Sequence, residues 1–439
     1  MEHAAIERAA IEHSEMNTSL PTDRNVDAVI VGAGPAGASA AILLARAGWS
    51  VALVEKQRFP RRKVCGECIA ASNLPLLDAL GVGAAIEAHA GPPLRRVALM
   101  RGDCTVMADL PPAAGTVHRW GRALGRETLD TLLLEQARAA SVAVWQPWSA
   151  QAIDGQAGAW RCTLRSLDTG ATATLRAQVA IAAHGSWERL PSERPPEQGR
   201  RQPGDLLAFK ANFRGSRLAP GLLPVLSFDG GYGGMVVADG GVTTLAGCIR
   251  RDRLDAVRRE APGQRAGDTV EALLKRECRG VRDALDGAER DGAWLAAGPL
   301  DPGAHHAGTD GLFRIGNAAG EAHPIIGEGI SMALQSAWLL CGRLLDPTLR
   351  SRLDDGDAQR RAAREYALQW RREFMPRLRL AAAFAHAAMR PAAGPALLGL
   401  VARWPGLLTH GARWGGKLRC AADPATIVAL AHGRAPVSP

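Results

Sequence analysis

Gly32, Gly34 and Gly37, in the stretch VDAVIVGAGPAGASAAILLARAGWSVALVEK, have the type and spacing to hold a pyrophosphate. In such a triplet the first glycine makes a tight turn, the second lets a phosphate reach the backbone, and the third lets helix and strand pack closely. Ala33, Pro35 and Ala36 complete the loop, and the helix that follows offers free N–H groups and its positive dipole end. Glu55 stands 18 residues beyond Gly37, where a carboxylate accepts from ribose hydroxyls, with Lys56 beside it. An acid at that place favours NAD or FAD over NADP.

A second segment with the same mechanics lies far downstream, in GLFRIGNAAGEAHPIIGEGISMALQ. A short strand over Leu312–Ile315 runs into Gly316 and Asn317, then Pro324, Gly327, Glu328 and Gly329, with a helix starting near Ile330. RRKVCGECI is harder to place, because Cys65 and Cys68 in C-x-x-C spacing suit a redox dithiol, half a zinc site or an incidental pair. Zinc is disfavoured, since no second Cys or His pair stands at ligand distance, and no metal is expected.

The elements that must position these residues are legible around them. Val26–Val31 and Val51–Val54 are β-rich runs suited to a buried parallel sheet, and Ala36–Ala47 is an Ala/Leu helix ended by Gly48. Between His184 and Gly298, DLLAFKANFRG, VLSFDGGYGGMVVADGG and VTTLAGCIRR read as antiparallel strands, with ADGG as a hairpin turn. The C-terminal region mixes Arg, Trp, Phe and Leu at helical spacing, broken by Pro376, Pro391, Pro395 and Pro405.

At 439 residues the chain has room for two or three packed units. Its net charge of +9 is local: twelve Lys or Arg face two acids between Arg360 and Arg419, and the remainder is near neutral. Nucleic-acid binding is not expected, because no recognition motif accompanies that charge; a cap resting on anionic lipid and a solvated helix pair both stay open. Eight scattered cysteines suit a reducing cytoplasm. The opening residues have no continuous apolar run of a secretory signal, and no run has the length of a membrane span.

Three ordered stretches, the opening fingerprint, GRETLDTLLLEQA and the late strand, loop and helix, resemble the FAD-dependent hydroxylases of the p-hydroxybenzoate hydroxylase type. They are similar also to the related geranylgeranyl reductases and flavin-dependent halogenases. The resemblance covers roughly residues 26–345. It implies an α/β fold: a doubly wound Rossmann-like FAD domain with an inserted mixed β-sheet substrate domain and a helical C-terminal region. The boundaries expected are an N-terminal extension over 1–25, the FAD domain over 26–95, 116–187 and 296–345, the substrate sheet over 96–115 and 188–295, and the basic helical region over 346–439.

The resemblance further implies roles for residues. Arg126 would contact FAD, and Lys63, Cys65 and Gly66 fit a basic-x-C-G loop that passes along the flavin. Asn317 stands where the family has Asp in G-D-A-A, and His184-Gly185 where the hydroxylases carry an Asp-Gly implicated in FAD and NADPH binding. That departure leaves NADPH, NADH or a separate reductase as alternative electron sources. Tyr232 would face the substrate, and His323 would lie by the flavin as general base or hydrogen-bond donor.

The activity implied is an FAD-dependent monooxygenase of secondary metabolism, using O2 to hydroxylate or epoxidise an apolar or aromatic small molecule. Two alternatives stand beside it: a geranylgeranyl-reductase-like enzyme saturating C=C bonds of a lipid-like substrate, and a non-catalytic flavoprotein in a biosynthetic assembly. Halogenation is less favoured, because no W-x-W-x-I-P stretch is present.

Overall fold

A computed structural model describes residues 23–114, 116–186, 201–305, 310–414 and 420–436. The expected N-terminal extension therefore lies, up to residue 22, outside the described residues, as does all of 187–200. Two large sheets organise the chain. In the first, strands Ala143–Trp145, Val51–Val54, Asp23–Val31 and Thr172–Ala182 run parallel, with Phe313–Arg314 pairing alongside Thr172–Ala182. Ala159–Ser166 and Trp148–Gln156 extend it antiparallel. Its central strands carry Val, Ile and Ala on both faces because helices cover one side and an apolar layer the other.

The first strand starts at Asp23, three residues before the expected Val26, because its parallel register continues with Asp23–Asn25 opposite Thr174–Arg176. Helix Pro35–Arg46 packs against Gly329–Leu344 and Arg126–Ala139, so the two cofactor-type segments meet although they are far apart in the chain.

The second sheet has the order Glu289–Arg290, Leu206–Arg214, Thr243–Arg250, Gly231–Val237, Leu222–Phe228, Arg96–Arg101 and Cys104–Asp109, with Leu295–Ala297 also pairing Leu206–Arg214. It is antiparallel except where Leu222–Phe228 runs parallel to Arg96–Arg101. A tight turn at Asp239–Gly241 joins two of its strands.

The helical C-terminal region differs from expectation at Pro376. Instead of breaking there, helix Gly356–Met389 runs through it. A proline in a helix interior costs about 3 kcal/mol. Trp370, Phe374, Leu378, Ala381 and Ala385 are buried along the same helix, and that packing outweighs the lost hydrogen bond. The other prolines obey the rule, since Pro395 sits in the first turn of Ala393–Arg403 and Pro405 precedes Gly406–Trp414. The long helix crosses from the first half to the second, where Ser227 Oγ donates to the Ala388 carbonyl at 2.8 Å and Gly230 N–H to Met389 at 2.9 Å. Among the described residues no helix is long and apolar enough to cross a membrane.

Candidate FAD site and the cavity beyond it

Helices Pro35–Arg46 and Gly329–Leu344 both begin without a side-chain cap and without an acid in the first turn. Their first N–H groups thus have no intrahelical partner. Both N-termini open on one cavity of about 300 Å³ whose wall includes Gly34, Pro35, Ala36, Gly327, Gly329 and Ile330. Gly316, Asn317 and Pro324 join the same wall.

The glycines divide into packed and open ones. A Cβ on Gly37 would stand 1.9 Å from the Gly32 carbonyl oxygen, so helix and turn touch there. A Cβ on Gly34 would meet nothing nearer than Arg126 Nη2 at 3.6 Å, and on Gly329 nothing within 4 Å. The space above those two is left for a ligand. Gly32, Ala33 and Gly37 form the turn behind the wall.

Glu55 also stands behind it. Its buried carboxylate accepts from Ala33 N–H at 3.0 Å and Gln57 N–H at 2.8 Å, with Arg61 Nη2 3.7 Å away. A carboxylate has about four lone-pair sites, so ribose hydroxyls can still be accepted. Lys56 next to it is half-buried and does not line the cavity.

Lys63, Cys65 and Gly66 line it. Cys65 Sγ accepts from Glu67 N–H at 3.3 Å, while Cys68 is buried in a short strand pairing Arg122–Ala123, and neither is in a disulfide. Arg126 lines the wall from a buried position, gripped by Asp130 through Nε and Nη2, both at 2.7 Å. Burial alone would lower its pKa, but the paired Asp130 carboxylate, helped by Cys65, holds it above the ordinary value. It is a fixed cation rather than a solvated one.

Glu67 is a site residue that sequence reading missed. It lines the cavity, is fully buried, and adopts φ +56°, rare for a residue with a side chain. Its carboxylate accepts from Arg126 N–H at 3.0 Å, from Lys210 Nζ and from Thr244 Oγ1. The pair with Lys210, also buried, ties the Cys65 loop and the start of helix Arg126–Ala139 to the second sheet. The available signal was Lys210 itself, a lone cation in the apolar strand LLAFKANF.

Two further expected site residues also stay off the wall. Glu328 is fully buried and ion-paired with Arg377 at 3.4 Å, so its carboxylate serves the packing of the long helix, not the cavity wall. His323 stands behind Tyr232 instead of lining the cavity, with Nδ1 3.2 Å from the tyrosine hydroxyl. Tyr232 itself is buried and lines the wall. Asn317 fills the place of the family Asp by donating to Ser186 Oγ at 2.6 Å, and Ser186 donates to Glu321 at 3.0 Å. Burial pushes the Glu321 carboxyl above its ordinary pKa, and the Ser186 and Asp301 hydrogen bonds temper that rise. His184 is half-buried, and Gly185 and Ser186 after it reach the cavity.

The far part of the cavity is apolar. Val97, Leu99, Leu223 and Met235 come from the second sheet, and Leu380, Phe384, Leu397 and Leu408 from the C-terminal helices. Helix Gly406–Trp414 is held on the sheet by Thr409 Oγ1, which donates to Asp109 at 2.8 Å. Two uncapped helix N-termini, open space over Gly34 and Gly329, and a carboxylate at the strand end fit an FAD. Among the described residues no group of three or more His, Cys, Asp or Glu could hold a metal ion.

The FAD binding domain model matches residues 25–371. The first curated relatives match over only 70 residues, 13–17% of their own length, so this chain spans a small part of them. Over a longer stretch, the digeranylgeranylglycerophospholipid reductase of Methanoculleus marisnigri is 26% identical across 79% of this chain and 82% of that protein. Among solved structures, the myxobacterial chondrochloren halogenase, a FAD-dependent halogenase, superposes with TM-score 0.70 at 17% identity, over 93% of this chain and 96% of that one. PqsL from Pseudomonas aeruginosa, a probable FAD-dependent monooxygenase, gives 0.64 at 18% identity, over 86% and 100%. The chain belongs to the FAD binding domain family.

Proposed function

We propose that this FAD-binding chain is a monooxygenase that hydroxylates or epoxidises an apolar or aromatic small molecule, as enzymes of secondary metabolism do. The observation that carries the reading is the continuity of one cavity, from the uncapped helix N-termini to an apolar chamber under the C-terminal helices. When bound, FAD would supply the redox chemistry between a nicotinamide donor, NADPH or NADH, and O2. The chain's own residues do the rest. First-turn N–H groups and Arg126 would hold the cofactor, and the apolar wall would limit water around a substrate. Tyr232 offers its hydroxyl to the bound substrate.

A second reading is reduction of a C=C bond in a lipid-like substrate. The long match to the Methanoculleus reductase favours it. So does the outer face of the cap, where Leu400, Trp404 and Leu407 are 45%, 57% and 39% exposed beside Arg403. That face suits peripheral contact with an anionic membrane, against a cytoplasmic background. Trp404→Glu is expected to abolish co-sedimentation with anionic vesicles; equal binding of the variant would dismiss the contact.

The visible spectrum, recorded anaerobically before and after NADPH, tests the main reading. Yellow protein that bleaches supports FAD and direct reduction despite His184. Yellow protein that bleaches only with an added reductase assigns electron supply to a partner. Bleached protein is then offered candidate apolar substrates in air and without it. Product only in air supports oxygenation, product without air supports C=C reduction, and a flavin that never cycles with any donor would favour the non-catalytic flavoprotein. Protein that refuses FAD would sink all three.

A further inference from the structure

Tyr232, His323 and His386 form a file from the cavity wall to solvent. Tyr232 lines the cavity; His323 lies behind it, with Nδ1 3.2 Å from the hydroxyl. Beyond is His386, an exposed residue of the long helix, its ring 5.5 Å from that of His323 in an edge-to-face arrangement. His386 Nδ1 donates to the Ala382 carbonyl at 2.7 Å, which leaves Nε2 as its exchanging nitrogen. We propose that this file conducts protons between the cavity and the surface, through Tyr232 Oη, the two nitrogens of His323 and His386 Nε2.

The inference rests on the oxidoreductase reading, in either of its forms. Oxygenation converts substrate, O2, reduced nicotinamide and one proton into oxygenated substrate, oxidised nicotinamide and water. Reduction converts a C=C bond, reduced nicotinamide and one proton into a saturated bond and oxidised nicotinamide. Each consumes one proton within the cavity, and the file gives that proton a route from the surface that does not depend on water entering beside the substrate.

The groups facing the file suit this use. Burial, with His386 adding, lowers His323 to about 4, so its ring is neutral near pH 7. A neutral imidazole relays by accepting on one nitrogen and releasing from the other. Burial, then Cys248 and Glu321, hold the Tyr232 hydroxyl well above its ordinary pKa, so it stays protonated between transfers. Cys248 beside it is raised to about 12, chiefly by burial, and gives up no proton near neutrality. Glu321, the other neighbour, is engaged by Ser186 and by Asp301 N–H at 3.3 Å.

The test uses the full chain in two states. In the unloaded protein, histidine 15N NMR should show His323 neutral through pH 6, with its signals moved by Tyr232→Phe and by His386→Gln. In the FAD-loaded protein, pre-reduced and mixed with ferricyanide, each flavin in its anionic two-electron-reduced form would give two electrons to two ferricyanide ions and one proton to solvent. Flavin absorbance times the electrons and a pH-indicator dye times the proton. His386→Gln, at an exposed position that does not threaten folding, should delay the dye signal by about 10²-fold, the lower range for a positioned acid or base. Added imidazole should restore it, which a merely structural role would not allow. An unchanged dye trace in His386→Gln, with normal flavin bleaching, overturns the relay and leaves the oxidoreductase reading intact. If the chain refused FAD, that reading would fall, and the ring signals alone would decide: no response of His323 to His386→Gln dismisses the file.

Discussion

The two ends of the cavity are made of different material. At the Gly34 and Gly329 end the wall presents backbone, namely N–H groups of two helix first turns, with the Arg126 side chain 3.6 Å from a Cβ on Gly34 and nothing within 4 Å of one on Gly329. At the cap end it presents side chains: Leu397 and Leu408 from two short helices, Phe384 from the long one, Val97 and Leu99 from the sheet. A backbone-built surface depends on a few residues being glycine and tolerates no added atom. A wall of side chains depends on summed volume, which many combinations satisfy. The first kind suits a single ligand of fixed shape, and the second adapts more readily to a change of ligand.

The largest effect that sharpens this contrast comes from two neighbouring glycines. Gly37→Val would drive a Cβ to 1.9 Å from a backbone oxygen, which cannot yield, so the variant is expected to lose its folded state. Gly34→Ala meets protein no closer than 3.6 Å and should melt like the parent without FAD. It should nevertheless bind FAD more than about tenfold more weakly, a loss above about 1.4 kcal/mol, because the methyl enters the space kept for phosphate. Thermal melts of the unloaded proteins and flavin-fluorescence titrations check both. Equal FAD affinity in Gly34→Ala would break the backbone-cradle half of the comparison.

Between the two ends lies the buried Lys210–Glu67 pair. Lys210→Met leaves the Glu67 carboxylate buried with Arg126 N–H and Thr244 as donors, and is expected to cost about 3–5 kcal/mol. The double variant Lys210→Met, Glu67→Gln should recover part of that, since no lone charge remains. Urea unfolding of the two proteins measures the difference; a double variant no better than the single one would show the pair to be more than charge compensation.

The cradle end was legible in the sequence because its physics is local. Each glycine turn is followed at once by the helix whose N-terminus it exposes, so strand, turn, helix and acid stand in order. The cap end was not, because Leu99, Leu223, Phe384 and Leu408 become neighbours only after two strands of the second sheet and two helices are packed together. Pro376 illustrates the limit: its local rule says break, and burial of Trp370 and Phe374 overrules it. Glu328 shows the reverse error, an acid inside a cofactor motif whose carboxylate turns to Arg377 on a helix the motif does not contain. Lys210 and Glu67 are separated by 143 residues, and no local pattern joins them.

His323 gives a pH signature intermediate in size. Its folded pKa of about 4 lies below the ordinary 6.5, so between those values the unfolded chain binds a proton that the folded one refuses. Stability from this group is therefore full above pH 6.5 and is lost as pH falls toward 4. The loss is on the order of 2 kcal/mol after allowance for solvent screening. His323→Gln should flatten that part of the stability curve relative to the parent. Parallel curves for the two proteins would mean that the ring is not held neutral behind Tyr232.

The smallest effect on folding belongs to the cap, and it is the one that isolates the substrate end. Leu397 and Leu408 are half-buried, so Leu397→Ala and Leu408→Ala should each cost no more than about 1 kcal/mol. Neither residue belongs to the helix turns that hold the cofactor, so FAD affinity is expected to stay within a factor of about two, well inside 1.4 kcal/mol. The enlarged chamber should instead change which apolar ligands perturb the flavin spectrum, with bulkier ones gaining relative to small ones. If both substitutions weakened FAD and left the ligand ranking unmoved, the cap would be closing over the cofactor itself. The division of the cavity into a backbone-built cradle and a side-chain-built chamber would then fail at the point where the two meet.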